Sequence, residues 1–265
     1  MNEGQLARAK AFAASHRRGD PLLLPNAWDV ASAVAIAGAG AAAIATTSAG
    51  VAWSLGVPDG AGLGAERSAA VVARLCAAVD VPVSADIEGG YEDVAETTTA
   101  VVRAGAVGVN LEDRSGTGLF AEAAQAERLA AARAAADALG IPVWLNARTD
   151  LYLTGTGGLE EARRRSEVYA AAGADSLFVP GLTDPDAIAE LAAGPLPVAV
   201  MVWAGAPSVA ELAAAGAVRI SLGSAIAQAA YAVAARATSE LLAAGTYDAT
   251  ADGIPYGDLN AALTR

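Results

Sequence analysis

The chain has 265 residues, is 54% hydrophobic, and carries a net charge of −12 with one cysteine and one histidine. The acidic balance argues against nucleic-acid and anionic-membrane partners, and a lone Cys76 excludes an internal disulfide and suits a reducing cytoplasm. His16 and Lys10, the only lysine, both fall in the first predicted helix, so a Schiff-base lysine in a barrel, a Ser-His-Asp triad and a histidine-rich zinc site are excluded.

Any resident metal must therefore be held by oxygen, which favours Mg²⁺ or Mn²⁺. The N-terminal residues include Glu3, Arg8 and Lys10 without an apolar core, so they do not read as a signal peptide. Residues 30–58 are uncharged but rich in Ala, Gly, Ser and Thr, which marks buried soluble structure rather than a membrane span.

In chain order, an amphipathic helix is predicted over residues 2–18. Short apolar runs of strand length follow at 22–27, 42–47, 82–88, 106–112, 142–149, 176–180, 197–202 and 219–223. Between them lie Ala-rich helical segments at about 28–38, 65–79, 92–104, 122–139, 159–172, 184–193 and 207–215, with an eighth at 224–243. Eight strands alternating with eight helices predict a (β/α)₈ TIM barrel of the α/β class.

The helix-to-strand joints alternate between Ala-Gly-Ala, at Gly40, Gly105, Gly173 and Gly216, and a proline, at Pro82, Pro142 and Pro197. Glycine suits the left-handed residue that ends a helix, and proline is tolerated where a strand begins. The repeated unit argues for a single barrel domain over residues 1–265, with the N-terminal helix and a short helical tail near 259–263. The tail is expected on the barrel or on a neighbouring subunit. Cys76 is expected as an inert core thiol, and Trp28, Trp53, Trp144 and Trp203 as packing.

A barrel places its chemistry at the carboxyl ends of its strands. There the second strand presents Thr46, Thr47 and Ser48, with Asp59 in the following loop. The third presents Asp86 and Glu88, which as strand residues i and i+2 share one face. The fourth presents Asn110, Glu112 and Asp113, the fifth Asn146, Arg148 and Asp150, and the eighth Gly223 and Ser224. A lone Asp-x-Glu is ordinarily a solvated turn. Acids on two adjacent strands and an arginine on the next instead predict an oxygen-ligand metal site beside an anion-binding guanidinium.

These stretches resemble the isocitrate lyase/phosphoenolpyruvate mutase superfamily. The resemblance rests on Leu23-Leu24-Pro25-Asn26-Ala27-Trp28-Asp29, Thr46-Thr47-Ser48-Ala49-Gly50, Leu55-Gly56-Val57-Pro58-Asp59-Gly60, Ser84-Ala85-Asp86-Ile87-Glu88-Gly89-Gly90-Tyr91, Asn110-Leu111-Glu112-Asp113 and Asn146-Ala147-Arg148-Thr149-Asp150. It implies an Mg²⁺-binding barrel that forms homodimers or homotetramers and breaks or rearranges a bond beside a carboxylate through an enolate. By the same resemblance Asp86 is the direct metal ligand, with Glu88, Glu112 and Asp59 holding metal-bound waters. Arg148 grips the substrate carboxylate or oxyanion, and Thr47, Ser48, Ala49 and Asn110 bind the substrate. Arg148, Asp59 and Glu112 are the residues expected to take part in the chemistry.

Three departures from the superfamily pattern stand out. The Lys-Cys-Gly motif of the large lyases is absent. The segment Arg114-Ser115-Gly116-Thr117-Gly118 lacks the mutase's lysine and asparagine, although its glycines suit a closing lid. Val179-Pro180-Gly181 stands where a glutamate or histidine is usual. They count against isocitrate cleavage and phosphoryl migration and leave the metal-and-enolate core. The expected activity is an Mg²⁺-dependent carbon–carbon lyase or decarboxylase for a small 2-oxo or hydroxy dicarboxylate. The alternatives are mutase or phosphonopyruvate-hydrolase chemistry on a phosphorus–carbon bond, and a non-catalytic barrel that binds metal and oxo acid.

Overall fold

The computed structural model describes residues 3–116 and 118–264; Asn2 of the predicted first helix, Thr117 of the 114–118 segment and Arg265 of the tail lie outside them. Helix α1 (Glu3–Ala14) precedes two short strands, β1 (Leu22–Leu24) and β2 (Asn26–Ala27). Then come α2 (Val30–Gly38), β3 (Ile44–Thr46), α3 (Ser48–Ser54), α4 (Ala65–Ala78), β4 (Val83–Asp86), α5 (Val94–Arg103) and β5 (Gly108–Glu112). A hairpin of β6 (Arg114–Ser115) and β7 (Gly118–Leu119) leads to α6 (Glu122–Ala138), β8 (Trp144–Arg148), α7 (Leu151–Thr154) and α8 (Leu159–Ala171). The chain continues through β9 (Ser176–Phe178), α9 (Pro185–Ala192), β10 (Val198–Met201), α10 (Val209–Ala214), β11 (Ala217–Ser221) and α11 (Ala225–Ala244). A 3₁₀ turn at Asp248–Thr250 and helix α12 (Tyr256–Leu263) end it.

The large sheet is parallel, in the order β1-β11-β10-β9-β8-β5-β4-β3-β2. β1 and β2 are two halves of one extended segment, parted by Pro25. β1 pairs with β11 and β2 with β3, so this segment closes the barrel. Pro25 has no N–H to lose, and its carbonyl accepts from Ala45 N at 3.1 Å. Asn26 staples the closure: Nδ2 donates to Thr46 O at 3.1 Å and Oδ1 accepts from Leu222 N at 3.1 Å.

The alternating joints behave as their chemistry predicts. Gly40, Gly105, Gly173 and Gly216 have φ of 96°, 114°, 94° and 95°. At the second, Gly105 N donates to Val102 O at 3.0 Å and Ala106 N to Val101 O at 3.1 Å, the paired bonds that close a helix over a left-handed residue. A side chain there would be strained by φ and would meet Cys76 Cβ at 2.9 Å. Burial pushes the Cys76 thiol up to about 12, which makes it inert as expected.

Helix α1 seals the amino end of the barrel. Gln5 Nε2 donates to Val102 O at 2.7 Å and Ala106 O at 3.1 Å. Phe12 is fully buried against the strand floor, where a Cβ on Gly108 would meet its Cε1 at 2.8 Å. The helix ends at Ala14 rather than residue 18, so His16 stands just beyond it. Its ring stacks on Trp144 at 3.9 Å and meets Phe12 edge-on at 4.9 Å.

His16 Nδ1 lies 2.8 Å from the Phe12 carbonyl, which can only accept, so the proton is on Nδ1; Nε2 is buried without a partner. Burial and the nearby Arg219 charge lower its pKa from 6.5 to about 3. The unfolded chain then binds the extra proton first. Stability from this site is complete above pH 6.5 and is lost as pH falls toward 3. At pH 5 the loss should be about 2 kcal/mol. In urea titrations His16→Phe should remove that share of the decline between pH 7 and 5. A parallel decline in both proteins would show that His16 does not titrate this way.

Most predicted elements are a residue or two longer than those observed, and four differences bear on the site. The strand predicted over 82–88 ends at Asp86, because Glu88 takes a left-handed φ of 50°. Asp86 and Glu88 are therefore not two residues of one strand face; a turn brings them together. The strand predicted over 42–47 stops at Thr46, since Thr47 caps the unpredicted α3. Apolar periodicity is weak in that helix, and Gly50 lowers its propensity. The glycine is needed because a Cβ there would lie 2.7 Å from Thr47 Cγ2 and 2.9 Å from Trp28 Cβ. The last strand starts at Ala217, not 219, which moves Arg219 to its centre. Finally, the described residues of the 114–118 loop lie in the antiparallel β6/β7 hairpin.

Candidate active site

The parallel register aligns the strand ends. Asp86 pairs with Asn110, Asn110 with Asn146, and Glu112 with Arg148. Above them opens a cavity of about 660 Å³, lined by Asn26, Thr47, Ser48, Ala49, Asp59, Asp86, Glu88, Asn110, Glu112 and Arg148. The nine residues given metal, substrate or catalytic roles from the sequence all line this cavity, together with Tyr91, Gly223 and Ser224, whereas Thr46, Asp113, Asn146 and Asp150 at the same strand ends do not.

Arg148 is the electrostatic centre. Its Nη1 lies 3.0 Å from Glu112 Oε2 and 3.6 Å from Asp86 Oδ2. Asp150 grips the other edge in a fork, with Nε–Oδ1 at 2.6 Å and Nη2–Oδ2 at 2.9 Å. Burial works against the guanidinium charge, but Glu112, Asp150 and Asp86 outweigh it and raise its pKa. Asp150 is in turn fixed by Asp113: Asp150 N donates to Asp113 Oδ1 at 3.0 Å. Asp113 Oδ2 accepts from Arg165 Nη1 at 3.0 Å and Tyr169 OH at 2.9 Å. A bidentate grip of this kind fixes both the plane and the direction of the guanidinium.

The carboxylates facing Arg148 are over-supplied with negative charge. Burial raises the pKa of Asp86 against the pull of Arg148, and burial together with Asp86 raises that of Glu88. Glu112 is pushed by burial to about 8, again against Arg148. Ser48 Oγ donates to Asp86 Oδ2 at 3.2 Å and Glu88 N to Asp86 Oδ1 at 3.2 Å. Glu88 Oε1 and the Tyr91 hydroxyl influence one another electrostatically, yet both are buried without completing a hydrogen bond.

An orphaned carboxylate oxygen beside two more acids, with oxygen as the sole donor type, fits a hard divalent cation. Among the described residues no three His, Cys, Asp or Glu side chains converge as a ligand set. Asp86, Glu88 and Glu112 do not form a joint direct cage. The arrangement suits one direct carboxylate with water and substrate oxygens completing the shell, as Mg²⁺ prefers. Asp59 is exposed on its loop and makes no hydrogen bond or ion pair among the described residues.

Some side chains that shape or line the candidate site, Arg219 and Arg128 among them, lay outside the sequence reading. Arg219 is 2% exposed inside the barrel, and its Nη2 donates to Asn110 Oδ1 at 3.1 Å. Burial lowers its pKa to about 9, with Asp86 opposing. A directional chain reaches Asn110 from the other side: Trp144 Nε1 to Ser176 Oγ at 2.8 Å, Ser176 Oγ to Asn146 Oδ1 at 2.5 Å, and Asn146 Nδ2 to Asn110 Oδ1 at 2.9 Å. Two donors on Oδ1 orient the amide and leave Nδ2–H₂ for the cavity. A lone charge in an apolar strand was the available signal for Arg219. Arg128 also lines the cavity, and no local signal marks it, because charges on helices are usually solvated.

Comparison with known proteins follows the same lines. The family model described as phosphoenolpyruvate phosphomutase matches residues 12–242. The 2-methylisocitrate lyase of Escherichia coli (strain K12) is 33% identical over 198 residues, which are 69% of this chain and 63% of that enzyme. A Burkholderia cenocepacia J2315 protein described as a lyase/mutase superposes with a TM-score of 0.93 at 41% identity, covering 100% of this chain and 98% of that one. Oxaloacetate acetylhydrolase in complex with the inhibitor 3,3-difluorooxalacetate superposes with a TM-score of 0.87 at 25% identity, covering 97% of this chain and 93% of that one.

Proposed function

The chain belongs to the isocitrate lyase/phosphoenolpyruvate mutase superfamily of TIM-barrel enzymes, and from that premise we propose that it is an Mg²⁺-dependent carbon–carbon lyase or decarboxylase acting on a small 2-oxo or hydroxy dicarboxylate. The observation that carries the reading is the convergence of Asp86, Glu112 and Arg148, from three adjacent strand ends, in one cavity. Enzymes with this fold act on 2-methylisocitrate and oxaloacetate, which are substrates of the proposed class.

In this reading Asp86 holds the metal directly, and Glu88, Glu112 and Asp59 hold its waters; Mn²⁺ would fit the same oxygens. When bound, the metal supplies Lewis acidity beside the oxygen where negative charge develops. Arg148, held in one orientation by the fork from Asp150, places fixed positive charge at the same oxygen or at the neighbouring carboxylate. Thr47 and Ser48 offer hydroxyls, and the first-turn N–H groups of α3, including that of Ala49, have no intrahelical acceptor. The oriented Asn110 Nδ2–H₂ adds a further donor. Together they hold the substrate carboxylate in one plane, so the bond to be broken faces the cavity.

The test is turnover of a panel containing oxaloacetate, 2-methylisocitrate and phosphonopyruvate, with Mg²⁺ and with EDTA. Chelator-sensitive carbon–carbon cleavage is expected. Turnover of phosphonopyruvate alone would favour the phosphorus–carbon alternative. No turnover, with Mg²⁺ and oxalate still binding together, would leave a barrel that only binds.

Self-association belongs to the same proposal. Helix α11 spans 20 residues, and Ala227 is its one buried position. A helix that is apolar on most faces needs cover. Leu241, Leu242, Tyr247, Ile254 and Tyr256 are also exposed around it and in the tail. A second copy of the chain, in a homodimer or homotetramer, is the cover expected in this superfamily. Light scattering should show an oligomer that Leu242→Glu shifts toward monomer; a monomeric parent protein would refute it. Among the described residues no helix is long and apolar enough to cross a membrane, and we place the enzyme in the reducing cytoplasm on the strength of its free Cys76.

A further inference from the structure

The cavity has two electrostatic ends, and the second has no role in the scheme above. Asp86, Glu88 and Glu112 crowd one wall with Arg148, whose guanidinium is already shared among Glu112, Asp86 and Asp150. Arg114, at the base of the β6/β7 hairpin, and Arg128, on α6, also line the cavity. Neither takes part in an ion pair among the described residues, whereas Arg133, Arg148, Arg163, Arg164 and Arg165 each do. Lack of an ion pair does not by itself set them apart, since Arg18 and Arg219 have none among the described residues either; what does is that both line the cavity beside its acidic wall.

The guanidinium of Arg128 is held in place rather than loose. Its Nη2 donates to Gly89 O, its Nε donates to Gln125 Oε1 at 3.2 Å, and its Cζ lies 4.3 Å over the Phe120 ring. Gln125 itself is fully buried. Part of the side-chain entropy that binding would otherwise cost is thus already spent in folding. Gly89 joins the two arginines in space: a Cβ there would lie 3.6 Å from both Arg128 Nη2 and the Arg114 carbonyl. Both therefore flank the turn that follows Asp86 and Glu88, on the rim of the cavity. Burial acts against the Arg128 charge with no carboxylate to offset it, so an arriving anion would relieve it.

We propose that Arg128 and Arg114 form a second anion subsite, which binds the distal acidic group of the substrate while Arg148 and the metal-side residues hold the oxo-acid end. This rests on the oxo-acid reading of the cavity and extends it: the substrate must be a dianion whose second charge is a carboxylate or a phosphonate. Arg128 is a binding residue here, since it touches substrate but not the reacting bond.

The probes are Mg²⁺ with oxalate, which fills the oxo-acid end alone, 3,3-difluorooxaloacetate, which adds a distal carboxylate, and 3-sulfopyruvate, a non-transferable stand-in for a distal phosphonate. Affinities are measured by calorimetry on the full chain, its Arg128→Met variant and its Arg114→Gln variant. The second substitution lies on an exposed residue and protects the test against misfolding of the first. Each variant should weaken one or both extended ligands by about 10- to 100-fold and leave oxalate unchanged. Whichever extended ligand loses affinity identifies the distal group. Unchanged affinity for both extended ligands overturns the subsite. An equal loss for oxalate means the arginines only support the fold and also overturns it. A parent protein that binds no oxalate with Mg²⁺ overturns the oxo-acid reading itself, and the subsite with it.

Discussion

Replacing Arg148 with methionine should lower kcat/KM by about three orders of magnitude and destabilise the protein by about 3–5 kcal/mol. Both effects follow from its surroundings. Its guanidinium is the cation shared by Asp86, Glu112 and Asp150. Asp150 is wholly buried, and its side-chain oxygens are both occupied by Arg148. Removing the cation leaves three largely buried carboxylates facing one another. Glu112, at about 8 with Arg148 present, would lose the largest influence that holds it down. Arg148→Lys keeps a charge but cannot reproduce the fork to Asp150, so it should recover stability better than rate. Steady-state kinetics on the active substrate and urea unfolding check the two parts separately. A variant within tenfold of the parent in kcat/KM would remove Arg148 from the chemistry.

The second large effect is that of Asp86→Ala. Mg²⁺ stimulation should disappear and turnover should fall about 1,000-fold or more, since several kcal/mol of transition-state stabilisation pass through the metal. The effect on stability should be opposite in character to that of Arg148→Met. Burial raises the Asp86 pKa, which means the folded protein disfavours its charge. Removing it leaves Arg148 still bound by Glu112 and Asp150. The fold should therefore keep its urea midpoint or gain slightly while activity collapses. Equal Mg²⁺-stimulated turnover before and after the change would defeat the metal-ligand assignment. A large loss of stability would mean that Asp86 holds the barrel together and that its catalytic role was misread.

The contrast between these variants reflects how the site is built. Arg148 is locked through Asp150, Asp113, Arg165 and Tyr169, a network that runs from the cavity into the layer between α8 and the sheet. Asp86 is held mainly by its own turn and by Ser48. One residue is therefore tied to folding and chemistry together, and the other mainly to chemistry.

Much of this was readable from the sequence, for local reasons. In a parallel barrel each strand is a short apolar run, and the residues at its carboxyl end follow directly in sequence. Asp86, Glu112 and Arg148 could therefore be placed at one rim without coordinates. The Gly and Pro joints announced their own backbone geometry in the same way. Where the reading failed, a turn or a close packing contact had changed the outcome. Glu88 leaves the strand for a left-handed turn, although its N–H still donates to Asp86. Thr47 and Ser48 leave theirs for a helix whose Gly50 lets it lie close against Trp28.

The sequence by itself determined the barrel, its strand order and the acid–acid–arginine rim, because these depend on periodicity and on residues next to each other in the chain. The tertiary structure alone decided the rest. Arg219 reaches Asn110 across 109 residues, Asp113 holds Arg165 across 52, and Arg128 meets Gly89 across 39. The orientation of Asn110, the anchoring of Asp150 by Asp113 and the second pair of arginines at the cavity all come from such contacts. A side chain's charge is written in the sequence, but its partner and its solvent are set only when distant segments close around it, and those two things determine what the charge does.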